Sequence, residues 1–173
     1  GMANTTSGLL DALCDSIPVL CISGQVATSA IGTDAFQECD AIGISRPVTK
    51  WNAQTRPTED IASLAAKAYP LTTQGRPGPV LLDFPKDMQI GMVPAAPAAE
   101  AEPVIQGVET TSPTAEAAIK RAAALIANAK RPVFYGGGGL VNSGLDACHA
   151  FTSLVQGMGG PCTLTLMGLG ALP

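Results

Sequence analysis

The chain has 173 residues, of which 46% are hydrophobic and only 14% are charged, and it carries a net charge of −4. This composition excludes an intrinsically disordered chain, and the acidic balance argues against nucleic-acid binding, which needs a basic surface. No apolar run approaches the roughly 18 residues of a membrane-spanning helix. Five widely spaced cysteines favour neither a disulfide framework nor a zinc site. We therefore expect a compact protein of the cytoplasm, or of an organelle in a eukaryote.

The first half of the chain predicts alternating helices and strands. Thr5–Ser7 supplies capping side chains for a helix that ends near Asp15–Ser16, and an apolar strand follows over Pro18–Ile22. The remaining predictions for this half are a break at Ser23–Gln25, a loop over Val26–Gly32, one or two helical turns over Asp34–Asp40, and a strand over Arg46–Trp51.

A second helix is predicted to begin at Arg56–Asp60, where Thr58 can act as the N-cap. Its apolar stripe recurs at helical spacing through Ile61, Leu64, Ala65, Ala68 and Tyr69. Pro70 should bend or end this helix because it removes a backbone hydrogen bond.

The segment Gly75–Asp87 is the centre of the predicted fold. Its apolar run Val80–Leu82 lies between turn residues, a pattern typical of a strand that is buried on both faces of a parallel sheet. Ligands bind at the carboxyl ends of such strands, which here means Asp83 to Asp87.

The second half begins with Ile90–Ser112, an Ala- and Pro-rich segment that predicts a linker. Ser112-Pro113 opens a helix whose predicted buried face is Ala115, Ala118, Ile119, Ala122 and Ile126. A strand over Pro132–Tyr135, a helix over Leu145–Met158 and a strand over Cys162–Thr165 follow. The prediction is an α/β fold, with parallel-sheet layers and flanking helices, in parts of two Rossmann-like domains at 1–89 and 113–173, joined by a linker at 90–112.

Two motifs leave alternatives open. The glycines at 136–139 follow a strand, so they predict either a backbone loop on a cofactor or a plain tight turn; they match neither the dinucleotide fingerprint nor a P-loop. Arg76 lies between Gly75 and Pro77 and is either a positioned phosphate or carboxylate ligand or an ordinary surface arginine. The single His149 is interpreted as structural. The residues alone indicate a nucleotide- or cofactor-binding scaffold.

Seven strings in this order resemble one enzyme family. They are Asp15–Val26, Ile31–Glu38, Arg46–Lys50, Gly75–Val80, Phe84–Asp87, Tyr135–Gly139 and Thr165–Gly170. Together they resemble the catalytic subunits of acetolactate (acetohydroxyacid) synthases, which are thiamine-diphosphate enzymes. The resemblance implies that residues 1–89 are the later part of a pyrimidine-binding domain and that 113–173 are the first part of a central domain.

The resemblance also implies a function and a set of site residues. Pyruvate would condense with a second 2-keto acid in branched-chain amino acid biosynthesis, with thiamine diphosphate, Mg²⁺ and FAD as cofactors. The implied catalytic residues are Gln37, Phe36 and Lys50, and Lys86 would lie at the substrate channel. The implied cofactor-binding residues are Arg76, Gly138, Thr165, Leu166, Met167 and Ser16. No residue is assigned to a metal, because the main thiamine-diphosphate and Mg²⁺ ligands of the family would lie outside this chain.

Some positions depart from the family pattern. Trp51 stands where the family usually has histidine, and Ala27–Ser29 stands where the family usually has a proline and basic residues. We expect a homo-oligomer with a regulatory subunit as a partner, and no carboligase activity from this chain alone. The alternatives are another thiamine-diphosphate enzyme, such as glyoxylate carboligase or a sulfoacetaldehyde-processing synthase, and a non-catalytic nucleotide-binding or scaffold module.

Overall fold

The computed structural model describes residues 1–56, 61–92 and 112–173. The chain divides into two compact units, Gly1–Val108 and Glu109–Pro173. The predicted cap at Thr58 and nearly all of the predicted linker lie outside the described residues.

Both units alternate helices with parallel strands. The first unit contains α1 (Met2–Asp15), β1 (Val19–Gln25), α2 (Ala41–Ser45), β2 (Trp51–Gln54), α3 (Ile61–Thr73), β3 (Pro79–Pro85) and α4 (Lys86–Ile90). The second contains α5 (Pro113–Ala127), β4 (Phe134–Gly136), α6 (Gly138–Asn142), α7 (Leu145–Met158) and β5 (Cys162–Leu164). In the first unit β3 lies between β1 and β2, and in the second β4 pairs with β5, with every pairing parallel. The predicted α/β class is confirmed.

Strand β3 is the buried centre of the first unit. Val80, Leu81 and Leu82 are completely buried. Because neighbouring side chains point to opposite faces, Leu81 packs with Leu9 on one side, while Val80 and Leu82 pack with Ala68 of α3 on the other. The strand is therefore covered on both faces, as its apolar run predicts.

Strand β1 is longer than predicted. It continues through Ser23, Gly24 and Gln25, each of which pairs with a residue of β3, ending at Gln25 beside Pro85. The predicted break was wrong because ladder pairing with the central strand outweighs the low strand propensity of a single glycine.

The segment between β1 and β2 also differs from the prediction. Asp34–Asp40 forms turns rather than a helix, and the helix α2 begins after it, with the Asp40 carboxylate accepting a hydrogen bond from Gly43 N at 2.8 Å. The predicted strand was misplaced: 46–48 is a 3₁₀ turn, and the strand starts at Trp51. Asp40 is the N-cap of α2. This role was not predicted, because the sequence placed Asp40 inside a helical segment.

Two helices of the first unit extend beyond their predicted limits. Helix α1 begins at Met2 with no side-chain cap, so the predicted caps were wrong, although it ends at Ser16 as expected. Helix α3 passes through Pro70 to Thr73. The carbonyl groups after Pro70 find donors outside the helix: Lys50 Nζ binds Leu71 O and Gly78 N binds Thr72 O. Those bonds stabilise the turn that follows the proline. Within the predicted apolar stripe of α3, Tyr69 is 61% exposed.

In the second unit most boundaries match the prediction. Ser112 caps α5 by accepting from Ala115 N at 3.2 Å, and α7 and β5 lie where their patterns place them. The predicted buried face of α5 is wrong within the described residues, since Ile119 is 57% exposed and Ala118 and Ala122 are exposed too. The short helix α6 was not predicted, because two glycines precede it and its first two residues are also glycines.

We expect replacement of Leu81 by alanine to lower the free energy of unfolding by about 2–5 kcal/mol, because a completely buried leucine leaves a cavity. Urea unfolding followed by circular dichroism measures the loss. Leu10→Ala is the matched control, since Leu10 is 46% exposed. An equal loss in both variants would contradict the assigned core.

Candidate functional site

A buried carboxylate organises the carboxyl edge of the first sheet. Asp83 of β3 is completely inaccessible to solvent. Its Oδ1 accepts from Ser23 Oγ at 2.6 Å, and its Oδ2 accepts from Gln54 Nε2 at 2.9 Å and from Gln25 Nε2 at 3.3 Å. One side chain of the central strand thus joins the ends of both neighbouring strands. Because a buried carboxylate needs donors, the three partners are fixed in orientation.

Gln25 extends this network into the loop that follows β1. Its Nε2 also donates to Cys39 O, and its Oε1 accepts from Val26 N at 3.0 Å. A cavity of about 530 Å³ opens beside it, lined by Gln25, Ile31, Gly32, Glu38, Cys39, Asp40, Ile42, Ala53, Gln54 and Arg56. This cavity lies at the strand ends where parallel sheets bind ligands.

The turn 32–38 carries two of the predicted catalytic residues, Phe36 and Gln37. Phe36 is 89% exposed, and Gln37 has a φ of 66°. Gln37 lines a second cleft of about 690 Å³ together with Ser23 and Gly24 of β1. Gln37 therefore lies beside the carboxyl end of β1, and Phe36 precedes it in the same turn.

Glu38 closes this turn on itself. Its carboxylate accepts from Gly32 N through Oε1 and from Ala35 N through Oε2 at 3.1 Å. These backbone hydrogen bonds, first of all the one from Gly32, hold the pKa of Glu38 below its usual value.

The third element of this edge is α4, which begins at Lys86 directly after β3. Lys86 is exposed, and its place at the substrate channel stays a prediction. The next residue, Asp87, accepts from Thr28 Oγ1 and from Thr28 N, the latter at 3.0 Å. The hydroxyl hydrogen bond is the main cause that lowers the pKa of Asp87. The Asp87 carboxylate thereby joins α4 to the loop after β1.

Three other predicted residues lie at the opposite, amino edge of the same sheet. Lys50 Nζ donates to Leu71 O and Gln74 O, both at 2.6 Å, at the carboxyl end of α3. Partial burial lowers the pKa of Lys50. Arg76 donates through Nε to Ser16 Oγ at 2.8 Å and through Nη2 to Cys14 O at 2.7 Å. Arg76 and Ser16 are thus in contact, whereas Lys50 and Gln37 lie at different edges of the sheet.

The second unit brings four predicted residues together after β4 and β5. Thr165 N donates to Gly136 O at 2.9 Å, and Thr165 Oγ1 accepts from Gly168 N at 3.1 Å. A Cβ on Gly138 would lie 3.0 Å from Met167 Cβ, so a side chain at this position would push the two loops apart by a few tenths of an ångström. Leu166 is 82% exposed and Met167 is 42% exposed. The result is a compact surface of backbone groups beside two accessible apolar side chains.

Within residues 1–56, 61–92 and 112–173 no cluster of three or more His, Cys, Asp or Glu could hold a metal ion. In the same residues, no helix is long and apolar enough to cross a membrane.

Comparison with known proteins shows which enzyme family the chain resembles. Residues 119–173 match the central domain of thiamine pyrophosphate enzymes. The whole chain is 44% identical to the acetolactate synthase isozyme 3 large subunit of Escherichia coli K12 and covers 30% of it. It is 42% identical to the chloroplastic acetolactate synthase of Arabidopsis thaliana, of which it covers 25%. The chain is acetolactate synthase-like. It spans less than a third of the length of these relatives.

Four residues of this acetolactate synthase-like chain were not assigned to the site from sequence: Gln25, Glu38, Gln54 and Asp83. The position of Asp83 at the end of a buried strand was noticed, but its partners are 29 to 60 residues away in the chain. No spacing rule joins an aspartate to amides at such separations. Glu38 lies within a recognised string, yet only the turn geometry shows what its carboxylate binds.

Replacing Asp83 by asparagine should lower the free energy of unfolding by about 1–3 kcal/mol, because a neutral carbonyl oxygen is a weaker acceptor for Gln25 and Gln54 than the carboxylate, and the side-chain NH2 cannot accept from Ser23 Oγ. Urea unfolding measures this change. Asp11→Asn, at an exposed carboxylate of α1, is the control and should change stability little. An unchanged Asp83→Asn protein would refute the network.

The Thr28–Asp87 contact should appear as a pH effect. The lowered pKa of Asp87 means that the contact stabilises the fold above the ordinary carboxyl pKa and is lost as the pH falls through the lowered value. Thr28→Val removes the hydroxyl donor, so the pKa of Asp87 should rise towards the ordinary value of an aspartate. Carboxyl-carbon NMR titration measures the midpoint. Thr114→Val, at an exposed threonine of α5, should leave that midpoint unchanged.

Proposed function

We propose that the chain is a segment of an acetolactate synthase large subunit, which condenses pyruvate with a second 2-keto acid. The observation that supports this proposal is the identity of 40% or more, over the whole chain, to acetolactate synthases of bacteria and plants. No observation favours a glyoxylate carboligase, a sulfoacetaldehyde-processing synthase or a non-catalytic module. The product would enter branched-chain amino acid biosynthesis.

In this proposal the reaction residues are those at the carboxyl edge of the first sheet. The Gln37 amide would donate a hydrogen bond to an oxygen that gains negative charge during the reaction. Phe36 would cover the reacting groups with its exposed ring, and the Lys86 ammonium would attract anionic keto acids. Lys50 would act on the same anions only through its charge, since its ammonium is bound to two carbonyl groups at the amino edge.

Thiamine diphosphate, when bound, would supply the nucleophilic carbon that this chain lacks. The carboxyl-edge cavities are lined by amide, hydroxyl and carboxylate groups, but no cluster of three or more metal-ligating side chains occurs among the described residues. We therefore assign to this chain the substrate side of the cofactor and assign the Mg²⁺–diphosphate ligands to other parts of the large subunit.

FAD is the second cofactor of the proposal. In the first unit, Arg76 donates through Nε to Ser16 Oγ and through Nη2 to Cys14 O, which would fix the guanidinium plane for a phosphate contact through Nη1. In the second unit, the surface formed by Gly138, Thr165, Leu166 and Met167 offers backbone polar groups and exposed apolar side chains, a combination suited to a flavin. Each unit supplies its own contacts.

The proposed partners follow from the relatives. Several are named large subunits, so we propose a regulatory small subunit and a homo-oligomeric assembly. A cytoplasmic location, or a plastid one in a plant, fits the same proposal.

The test is a chimeric large subunit in which this chain replaces the aligned segment of the Escherichia coli isozyme 3 subunit. The chimera should form acetolactate from pyruvate, and the chain alone should form none. Gln37→Ala in the chimera should lower kcat by roughly 100-fold, the effect of removing one donor to a developing anion. Gln156→Ala, at an exposed glutamine of α7, is the matched control. A folded chimera without activity would refute the proposed function.

A further inference from the structure

The turn 32–38 has a conformation that needs support. Within six residues it contains three positive φ angles: 82° at Gly32, 56° at Asp34 and 66° at Gln37. For a residue with a side chain, this left-handed conformation costs about 1–2 kcal/mol, and only surrounding contacts maintain it. Phe36 and Gln37, the two predicted reaction residues of this edge, therefore lie in a segment that would not keep its shape alone.

Glu38 supplies the contacts that hold the turn from within. One carboxylate oxygen accepts from Gly32 N at the start of the turn, and the other accepts from Ala35 N at its middle. Its own backbone N–H donates to Ala35 O at 2.9 Å. The side chain of the residue after Gln37 thus binds two backbone groups that precede Gln37, which closes the turn.

The residue that follows Glu38 fixes the turn to the sheet. Cys39 O accepts from Gln25 Nε2, and Gln25 is held by the buried Asp83 carboxylate. The end of the turn therefore has a fixed position relative to β1 and β3. Glu38 links that position to the rest of the turn, because it is adjacent to Gln37 and its carboxylate binds the backbone N–H groups of Gly32 and Ala35, which precede Gln37.

A direct role for Glu38 in proton transfer is disfavoured by the same contacts. Both carboxylate oxygens are occupied by backbone donors, and the lowered pKa keeps the group ionised and weakly basic. We propose that Glu38 is a positioning residue, which holds Gln37 in the left-handed conformation that aims its amide at the reacting 2-keto acid. This inference rests on the role given to Gln37 in the proposed function.

The first experiment follows the turn in the chain itself. Glu38→Gln keeps the size of the side chain but turns one acceptor into an amide donor, which would face a backbone N–H. We expect backbone chemical shifts of Gln37 to leave the left-handed range and the Gly32 and Ala35 amides to exchange faster with solvent. Glu116→Gln, at the exposed glutamate in the first turn of α5, should change none of these signals. An unchanged Gln37 in the Glu38→Gln chain would overturn the proposal.

The second experiment is a double-mutant cycle in the chimeric large subunit. Glu38→Gln should lower kcat by about tenfold with a much smaller change in the KM for pyruvate, because a misaligned donor acts on the transition state. In the Gln37→Ala background the same change should have almost no further effect. Glu38→Asp keeps the charge but is one methylene shorter, and we expect an intermediate kcat.

The two proposals fail in different ways. An inactive chimera with the unaltered chain refutes the proposed function, and the NMR experiment then decides whether Glu38 holds the turn. An active chimera in which the Glu38 and Gln37 effects multiply independently refutes the positioning role alone.

Discussion

The arrangement of the first unit depends on the buried carboxylate of Asp83. A charge without access to solvent is tolerated only when hydrogen-bond donors surround it, and here Ser23, Gln25 and Gln54 provide them. The donors come from the strands on either side of β3. The hydrogen bonds of one carboxylate therefore hold the carboxyl ends of all three strands together. Through the Gln25–Cys39 hydrogen bond, the same network reaches the turn that carries Phe36 and Gln37.

In the second unit, backbone groups rather than buried side chains hold the strand ends together. A Cβ on Gly168 would lie 2.7 Å from Gly136 O, so the loop after β5 packs directly against the end of β4. Thr165 secures this approach through its backbone N–H and its hydroxyl. The absence of side chains at the contact leaves polar backbone groups at the surface, where Leu166 and Met167 are also exposed. Side-chain hydrogen bonds shape one candidate surface and glycine packing shapes the other.

The parts of the fold that could be predicted from sequence are those with a local cause. The burial of Val80–Leu82, the Ser112 cap and the limits of α7 each follow from a few adjacent residues. The errors arose where distant partners decide the structure. Pairing with β3 extends β1 past Gly24, and the donors Lys50 and Gly78 stabilise the turn of α3 after Pro70. The Asp34–Asp40 segment has helical composition, but the Glu38 carboxylate binds its backbone in a turn.

The candidate site shows the same limit at the level of function. Lys50 and Lys86 are both lysines next to a strand of the same sheet, and the resemblance gives both to one channel. Lys50 precedes β2 and Lys86 follows β3, and because the strands are parallel these positions lie at opposite edges. Residue type and family pattern do not separate the two lysines, whereas strand direction does. The Lys50 ammonium binds carbonyl groups at the carboxyl end of α3. Of these two lysines, Lys86 is the one whose position fits a ligand at the carboxyl edge of the sheet.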